Sequence, residues 1–504
     1  MSSATATDHQ TIFIGGAWTS PAGIERIDVV SPWTEKVIGS VPSCSREDVD
    51  RAVTAARQAL ESGPWPATPL DDRIALVRRF RERLVATSGE LAQLITDEMG
   101  APITQSRNIQ VTNPVRILDA YLEAVQHYPF RTIRRSEFGQ ALVTRNPVGV
   151  VAAVVPWNVP ASLVIQKVVP ALLTGCTVIL KPAPETPLDA YLVVRLLEEA
   201  GCPPGVVNLV PADREVSEYL VTHPGVAKVT FTGSSAAGRR IAELGGKDLR
   251  RVTLELGGKS AAVILDDADL DSATEALRMG SFRNNGQVCT LKTRLLVPKS
   301  RHHAFLERLV ALVEDMPVGD PNDPDTHIGP LVSSRQRDRV VGYIRSGIEE
   351  GATLVKGGER PAGLDHGWFV EPTVFTDVDP SATIAQEEIF GPVVAVIPYG
   401  SVDEAVSIAN NTMYGLSGAV FTADPVRGLE VASRMYTGTV ELNGSPAGFQ
   451  APMGGVKMSG IGREFGPEGL DPFVETKAIG VPADLADTLD ERLVPGRPAG
   501  RRSA

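Results

Sequence analysis

Gly149-Val150-Val151-Ala152-Ala153-Val154-Val155-Pro156-Trp157-Asn158 opens an apolar stretch that continues to Leu180. A membrane helix needs about 18 nearly unbroken apolar residues. Here Pro156, Asn158, Pro160, Gln166, Lys167 and Pro170 interrupt the run before it reaches that length. The stretch reads instead as strand, turn, helix and strand in a buried core. Short Val/Ile runs recur at 177–180, 206–210 and 228–231, with helical stretches such as 187–200 between them. Strands alternating with helices imply βαβ units around a parallel sheet.

A second run of the same kind begins with strands at 261–265 and 294–297 and continues through 393–398 and 418–421. Two successive α/β regions suggest two domains with a cleft between them. Upstream, 48–60 and 71–98 have helical periodicity, each starting on an acidic residue and closing near Gly63 or Gly100. Residues 130–145 are polar and alternating, and 478–481 is the candidate partner strand. After Pro482 the chain turns to Asp, Arg, Pro and Gly without apolar periodicity, so 483–504 is expected to be a loose tail.

A chain of 504 residues is too long for one core, and length alone suggests about three domains. With 43% hydrophobic and 22% charged residues, the composition is that of an ordinary soluble globular protein. The net charge of −12 argues against nucleic acid or an anionic membrane as partner, because their phosphates would repel it. Cys44, Cys176, Cys202 and Cys289 are widely spaced and form no CxxC pair, so no metal site is expected. That spacing favours free thiols in a reducing compartment. The first ten residues lack the apolar core of a secretory signal, and a cytoplasmic location is expected.

Two features carry chemistry. Cys289 ends the run Phe282-Arg283-Asn284-Asn285-Gly286-Gln287-Val288-Cys289. Most lone cysteines are small buried core residues, but a Gly-Gln turn favours an exposed nucleophile. The strand at 228–231 runs into Thr232-Gly233-Ser234-Ser235-Ala236-Ala237-Gly238 and a helix. Backbone N–H groups at such a helix start suit a pyrophosphate, although plain helix capping explains many such sequences equally well. No histidine falls in these segments, so a Cys-His dyad is not expected.

Further motifs follow in order: Ile12-Phe13-Ile14-Gly15-Gly16-Ala17-Trp18, Ser31-Pro32-Trp33-Thr34, Val155-Pro156-Trp157-Asn158, Lys181-Pro182-Ala183, Phe231-Thr232-Gly233-Ser234, Leu254-Glu255-Leu256-Gly257-Gly258-Lys259, Glu388-Ile389-Phe390-Gly391-Pro392, and Pro452-Met453-Gly454-Gly455 running to Gly462-Arg463-Glu464. Taken together with Cys289, they resemble the aldehyde dehydrogenase superfamily over nearly the whole chain. The resemblance implies an α/β fold with a Rossmann-type cofactor domain, an α/β catalytic domain and a small oligomerisation sheet. The expected division is 1–129 with 148–257 for the dinucleotide and 258–445 for the nucleophile. Residues 130–147 and 446–482 would bridge and oligomerise, with 446–470 returning to the active site. The chain would then be a homodimer or homotetramer.

The implied reaction oxidises an aldehyde to the carboxylic acid with NAD(P), through a cysteine thiohemiacetal and thioester. A carbonyl carbon loses hydride only after a nucleophile makes it tetrahedral, and a thiolate suits that step. The resemblance assigns attack to Cys289, an oxyanion donor to Asn158 and water activation to Glu255. Members that pass the acyl group to coenzyme A tend to lack that glutamate, so its presence favours a free acid. Lys167 and Glu464 are secondary candidates for assisting the site or positioning charge.

For the cofactor, the resemblance implies Gly233, Ser234 and Gly238 as the variant dinucleotide loop and Lys181 on a ribose hydroxyl. Glu388 would hold the nicotinamide ribose with Phe390 nearby, and Val155, Pro156, Trp157, Leu256 and Gly257 would complete the site. Many NAD-using members carry a glutamate three residues after the lysine; here that position is Pro184, with Glu185 next. In the loop at 210–214, Asp213 would deter a 2′-phosphate and Arg214 would attract one. NAD is expected to be preferred, with NADP possible.

Val159, Gln166, Ala447 and Met453 stand where members acting on small aldehydes are often aromatic. They imply a wider, more aliphatic substrate tunnel, unless Leu163 or Phe449 compensates. Arg283 faces either the tunnel or solvent. Two other readings stand beside this one. The same thiolate could serve a cysteine-dependent esterase or hydrolase, for which a dinucleotide loop is superfluous. A non-catalytic binding protein on the same fold would not need Cys289, Glu255 and Asn158 together.

Overall fold

The computed structural model describes residues 7–493. Its centre is two large sheets, and the first is built around Val150–Val154, buried at all five residues. Val151 and Ala153 pack into one apolar layer while Val150, Ala152 and Val154 pack into the other. A strand covered on both faces has no polar side to show, which is why it reads as an unbroken apolar run. Helices Leu70–Ala86, Thr112–Gln126, Pro160–Thr174 and Leu188–Glu199 carry side chains of the first layer, and Arg46–Glu61, Arg214–Thr222 and Ser235–Lys247 carry side chains of the second.

Five parallel strands form the body of this sheet, in the spatial order Arg251–Glu255, Lys228–Thr232, Val150–Val154, Thr177–Lys181, Val207–Leu209. Strand order therefore reverses between Val150–Val154 and Lys228–Thr232. In open α/β sheets a ligand crevice forms beyond the carboxyl ends of the strands at such a switch point. The residues that follow these two strands are Pro156-Trp157-Asn158 and Gly233-Ser234. The hairpin Ile12–Ile14 and Ala17–Thr19 extends one edge, and Gly460–Ile461 pairs antiparallel with Arg251–Glu255 at the other.

The second sheet runs Thr353–Lys356, Thr373–Thr376, Val393–Tyr399, Lys292–Pro298, Ser260–Ile264, Ser417–Phe421, Thr439–Leu442. It is parallel except for its first strand, and again both faces are covered, Ala261 and Val263 toward one layer and Ala262 and Ile264 toward the other. Glu255 ends a strand of the first sheet and Ser260 begins one of the second. The four residues between them thus cross from one sheet to the other.

Three expectations are corrected. The single helix over 71–98 is two, Leu70–Ala86 and Ser88–Met99, broken at Thr87. Thr87 leaves helical backbone at φ −101° and ψ 7°, and Thr87-Ser88-Gly89-Glu90 follows the Ser/Thr-x-x-Glu pattern that starts a new helix. The strand expected at 478–481 is longer, Val474–Val481, and pairs antiparallel with Gly139–Pro147, which in turn pairs with Arg131–Ser136. The segment from 483 is not loose at its start: Ala483–Leu493 is a helix. Ala486 and Leu489 lie one turn apart on it, Ala486 fully buried, and Asp487 pairs with Arg135 at 2.9 Å. Residues 494–504 lie outside the described residues. Among the described residues, no helix is long and apolar enough to cross a membrane.

Candidate active site

The loop before Cys289 is held in an unusual shape. Asn284, Asn285 and Gly286 all adopt left-handed backbone, with φ of 55°, 60° and 75°. Asparagine tolerates this region better than most residues. At Gly286 a Cβ would lie 2.0 Å from the Gly391 carbonyl carbon, so only glycine fits. Side chains then tie the loop to its surroundings. Asn285 Nδ2 donates to the carbonyls of Gly100 and Pro330, and its Oδ1 accepts from Gly329 N. Gln287 Oε1 accepts from Val332 N at 3.1 Å.

Asn158 belongs to the turn after Val150–Val154 and is buried. Its Nδ2 donates to the Gln287 carbonyl at 3.0 Å, and its own carbonyl accepts from Asn284 Nδ2 at 2.8 Å. One amide hydrogen of Asn158 is thereby fixed, which aims the other. Gln110 Nε2 donates to Asn284 Oδ1 and completes the lattice.

Two cavities meet at this loop, and Asn158, Thr232 and Cys289 line both. The first is bounded by Pro156, Trp157, Gly233, Ser234, Leu256, Gly257, Glu388 and Phe390, together with Gln336 and Arg339. Eight residues assigned to the cofactor from sequence thus share one cleft. Ser234 caps the helix Ser235–Lys247, accepting from Ala237 N, so its free N–H groups open beside the cleft. Trp157 and Phe390 meet edge to face at 5.3 Å. Glu388 Oε1 accepts from Gly258 N at 3.0 Å, and burial pushes its carboxyl up to about 7. A Cβ on Gly257 would lie 2.4 Å from Glu388 Oε2, so that glycine is needed for the carboxylate to sit there.

Val155, Lys181, Pro184 and Gly238 do not line the cleft itself. Gly238 lies behind it, where a Cβ would meet Leu256 Cδ2 at 2.5 Å. Val155 N donates to the Lys181 carbonyl. Burial lowers the Lys181 ammonium to about 8, while Glu185 and Asp213 favour its charge. Glu185 Oε1 accepts from Arg335 Nη2 at 3.0 Å. Asp213 caps the helix Arg214–Thr222 through Val216 N.

The second cavity is lined by Val159, Leu163, Phe449, Met453 and Phe465, with Gln110, Gln166 and Arg283 among its polar walls. Phe449 and Phe465 pack edge to face at 5.1 Å. Arg283 therefore faces the cavity, donating to Thr290 Oγ1 at 3.2 Å. Ala447 does not line it and is exposed, because its loop points outward.

Glu255 also lines this cavity, and both its carboxyl oxygens are buried without a hydrogen-bond partner. Its oxygens are thus free to meet a group that enters the cavity. Burial raises its pKa well above the usual carboxylate range, Glu464 adds to the rise, and Lys167 and Arg463 oppose it. Lys167 donates to Glu464 Oε1 at 2.7 Å. The half-buried Cys289 thiol is pushed up to about 12, first by burial and then by Glu388 and Glu255, with Arg283 and its own backbone N–H pulling the other way. Cys44 and Cys176 are buried with raised pKa values as well, and Cys202 is held at about 12. What separates Cys289 from them is its opening onto two cavities.

Gln336 and Arg339 had no sequence signal beyond their spacing of one turn on a helix capped by Ser333. Thr232 was part of a quoted motif but had no assigned role.

The family model described as "Aldehyde dehydrogenase family" matches residues 18–479. The chain is 46% identical to geranial dehydrogenase of Castellaniella defragrans over 473 residues, covering 94% of this chain and 98% of that protein. It is 41% identical to 3-succinoylsemialdehyde-pyridine dehydrogenase of a Pseudomonas species, covering 94% and 98%. Its fold matches the crystal structure of a Mycobacterium tuberculosis aldehyde dehydrogenase complexed with NAD+ at a TM-score of 0.93 and 44% identity, covering 95% and 99%. A mutant aldehyde dehydrogenase C from Pseudomonas syringae, complexed with NAD+ and octanal, matches at 0.91 and 41% identity, covering 95% and 98%.

Proposed function

The chain belongs to the aldehyde dehydrogenase family, and from that premise we propose how its residues divide the work of NAD-dependent aldehyde oxidation. The observation that carries the reading is the meeting of two cavities at Cys289 and Asn158. One takes the cofactor and the other the aldehyde. The first cavity's residues fit a dinucleotide: a capped helix start for the pyrophosphate and a tethered Glu388 for the ribose. When bound, NAD supplies the acceptor for the hydride that leaves the substrate carbon.

The protein's own groups do the rest. Cys289 loses its thiol proton to water in the cavity, Arg283 and the backbone N–H favouring the thiolate. The sulfur adds to the aldehyde carbon, and the developing oxyanion meets the free N–H of Asn158 and the Cys289 backbone N–H. Preorganised donors of this kind are worth about 10²–10³-fold in rate each. With hydride gone, the carbon is a thioester to Cys289. Glu255 takes a proton from water, the hydroxide so formed adds to the thioester, and the C–S bond breaks to release acid and thiolate. An unbonded carboxylate with a raised pKa is suited to this proton transfer near neutral pH. Lys167 and Glu464 position the charge behind it.

NAD is the preferred cofactor in this reading, since no cluster of basic residues offers a dedicated phosphate pocket, and NADP remains usable, since Pro184 offers no carboxylate to repel a 2′-phosphate. The predominantly apolar second cavity suits an apolar aldehyde of about the size of geranial or octanal, the compounds named for two relatives. The cofactor region comprises 1–129 and 148–257 and the nucleophile region 258–445. Residues 130–147 and 446–482 bridge them, and the three-stranded sheet joins subunits as a homodimer or homotetramer. Four free cysteines are in keeping with a cytoplasmic location.

The test is absorbance of reduced nicotinamide with a panel of aldehydes, run beside an activated-ester assay, for the wild type and Cys289→Ala. The expected result is aldehyde oxidation in the wild type, and cofactor binding without turnover in the variant. Substantial turnover by Cys289→Ala would overturn the nucleophile, and ester cleavage without aldehyde oxidation would favour a hydrolase.

A further inference from the structure

We propose that Glu185 and Arg335 form a latch between the two sheets, beside the cofactor cleft, that sets the choice between NAD and NADP, with Arg335 receiving the 2′-phosphate when Glu185 releases it. The inference rests on the reading of that cleft as the cofactor site.

Glu185 follows Pro184 in the loop after the strand Thr177–Lys181, and its charge acts on the Lys181 ammonium. Arg335 stands on the opposite side, in the first turn of the helix Ser334–Glu349, whose Val340 and Ile344 pack in the core of the second sheet. The same turn supplies Gln336, and the next supplies Arg339, to the cofactor cleft. The bond of 3.0 Å between Arg335 Nη2 and Glu185 Oε1 therefore joins a loop of the first sheet to a helix of the second.

The two partners are unequally held. The Glu185 side chain is 21% exposed, whereas that of Arg335 is 85% exposed. A solvent-facing ion pair of this kind opens readily, and a guanidinium presents a planar fork that matches a phosphate in two parallel hydrogen bonds. The other acid beside Lys181 is occupied, since Asp213 caps its own helix. Glu185 thus opposes NADP by withholding the cation that would receive the extra phosphate. Removing Glu185 should help NADP only while Arg335 is present.

The experiment is isothermal titration of NAD, NADP, ADP-ribose and 2′-phospho-ADP-ribose into the full chain as wild type, Glu185→Gln, Arg335→Gln and the double variant. All four substitution states should fold, because neither side chain is in a core. Glu185→Gln is expected to tighten NADP and the phosphorylated fragment about tenfold, and Arg335→Gln to weaken both about tenfold, with NAD changed less than about threefold by Arg335→Gln. In the double variant the gain from Glu185→Gln should vanish. A gain that persists without Arg335, or NADP binding indifferent to Arg335→Gln, would overturn the latch alone. A wild type that binds neither NAD nor ADP-ribose would overturn the cofactor site and the latch with it.

Discussion

Lys167 and Glu464 are joined at 2.7 Å in a site that excludes water from both, their side chains 0% and 4% exposed. One comes from the helix that follows the Asn158 turn, the other from the late segment that returns to the first sheet. Removing one partner of a buried pair leaves an uncompensated charge and costs about 3–5 kcal/mol. Lys167→Met is expected to lose stability on that scale in urea unfolding. Because Lys167 also favours the ionised form of Glu255, the same variant should move the acid limb of turnover to higher pH. Unchanged stability with an unchanged pH profile would contradict both roles.

Glu255 holds a proton at pH values where an ordinary carboxyl has lost it, because burial and Glu464 raise its pKa. Only the ionised form accepts a proton from water. Deacylation should therefore fall as pH drops through the raised pKa and reach a plateau above it. Glu255→Gln is expected to give one burst of reduced cofactor and then stall, with the pH dependence of deacylation gone. Rapid-mix absorbance from pH 5 to 9 checks this, and steady turnover equal to wild type would exclude the base.

Asp189 and Glu98 lie together in the core where helices Ser88–Met99 and Leu188–Glu199 meet. Glu98 accepts from the N–H groups of Leu188 and Asp189, and the Asp189 carboxyl is buried beside it. Burial pushes the Asp189 carboxyl up to about 8. The folded chain then keeps this proton through a range where the unfolded chain has released it, so stability is lost as pH rises toward 8. Asp189→Asn cannot ionise. The variant should melt close to wild type at pH 5 and above it at pH 9, and a difference that does not grow with pH would count against the assignment.

Val474–Val481 is one edge of its three-stranded sheet, and Ile479 on it is 40% exposed. An uncovered edge invites pairing with another chain. Light scattering is expected to find a dimer or tetramer at micromolar concentration, and Ile479→Asp should shift it toward monomer. A stable wild-type monomer would remove the sheet from the account of assembly.

The two sheets were readable because strands buried on both faces leave long apolar runs, and Val150–Val154 is one. Cys289, Glu255 and Asn158 were readable from their motifs. The break at Thr87 did have a sequence sign, since Thr87-Ser88-Gly89-Glu90 follows the Ser/Thr-x-x-Glu pattern of a helix start and contains a glycine, but the long apolar periodicity on either side obscured it. Gln336 and Arg339 reach the cleft because a helix of the second sheet overhangs it, a placement set by packing between distant segments. The tail helix escaped notice because its apolar contact is small, resting on Ala486 and Leu489. The unbonded state of Glu255 depends on what is missing around it, which no motif records.

The left-handed loop at 284–286 takes its shape from carbonyl and amide groups of Gly100, Gly329, Pro330 and Val332. The substrate cavity takes its width from Val159, Leu163, Met453 and Phe449, which are not among those supports. Substitutions at those four apolar positions thus leave the anchorage of Cys289 untouched, unlike changes at Gln110 or Asn158, which line the cavity and also hold the loop. Selection can retune which aldehyde enters by changing a few apolar side chains while the reacting sulfur stays where it is. Divergence in substrate between related chains is then the inexpensive kind of change, and divergence in reaction the costly one.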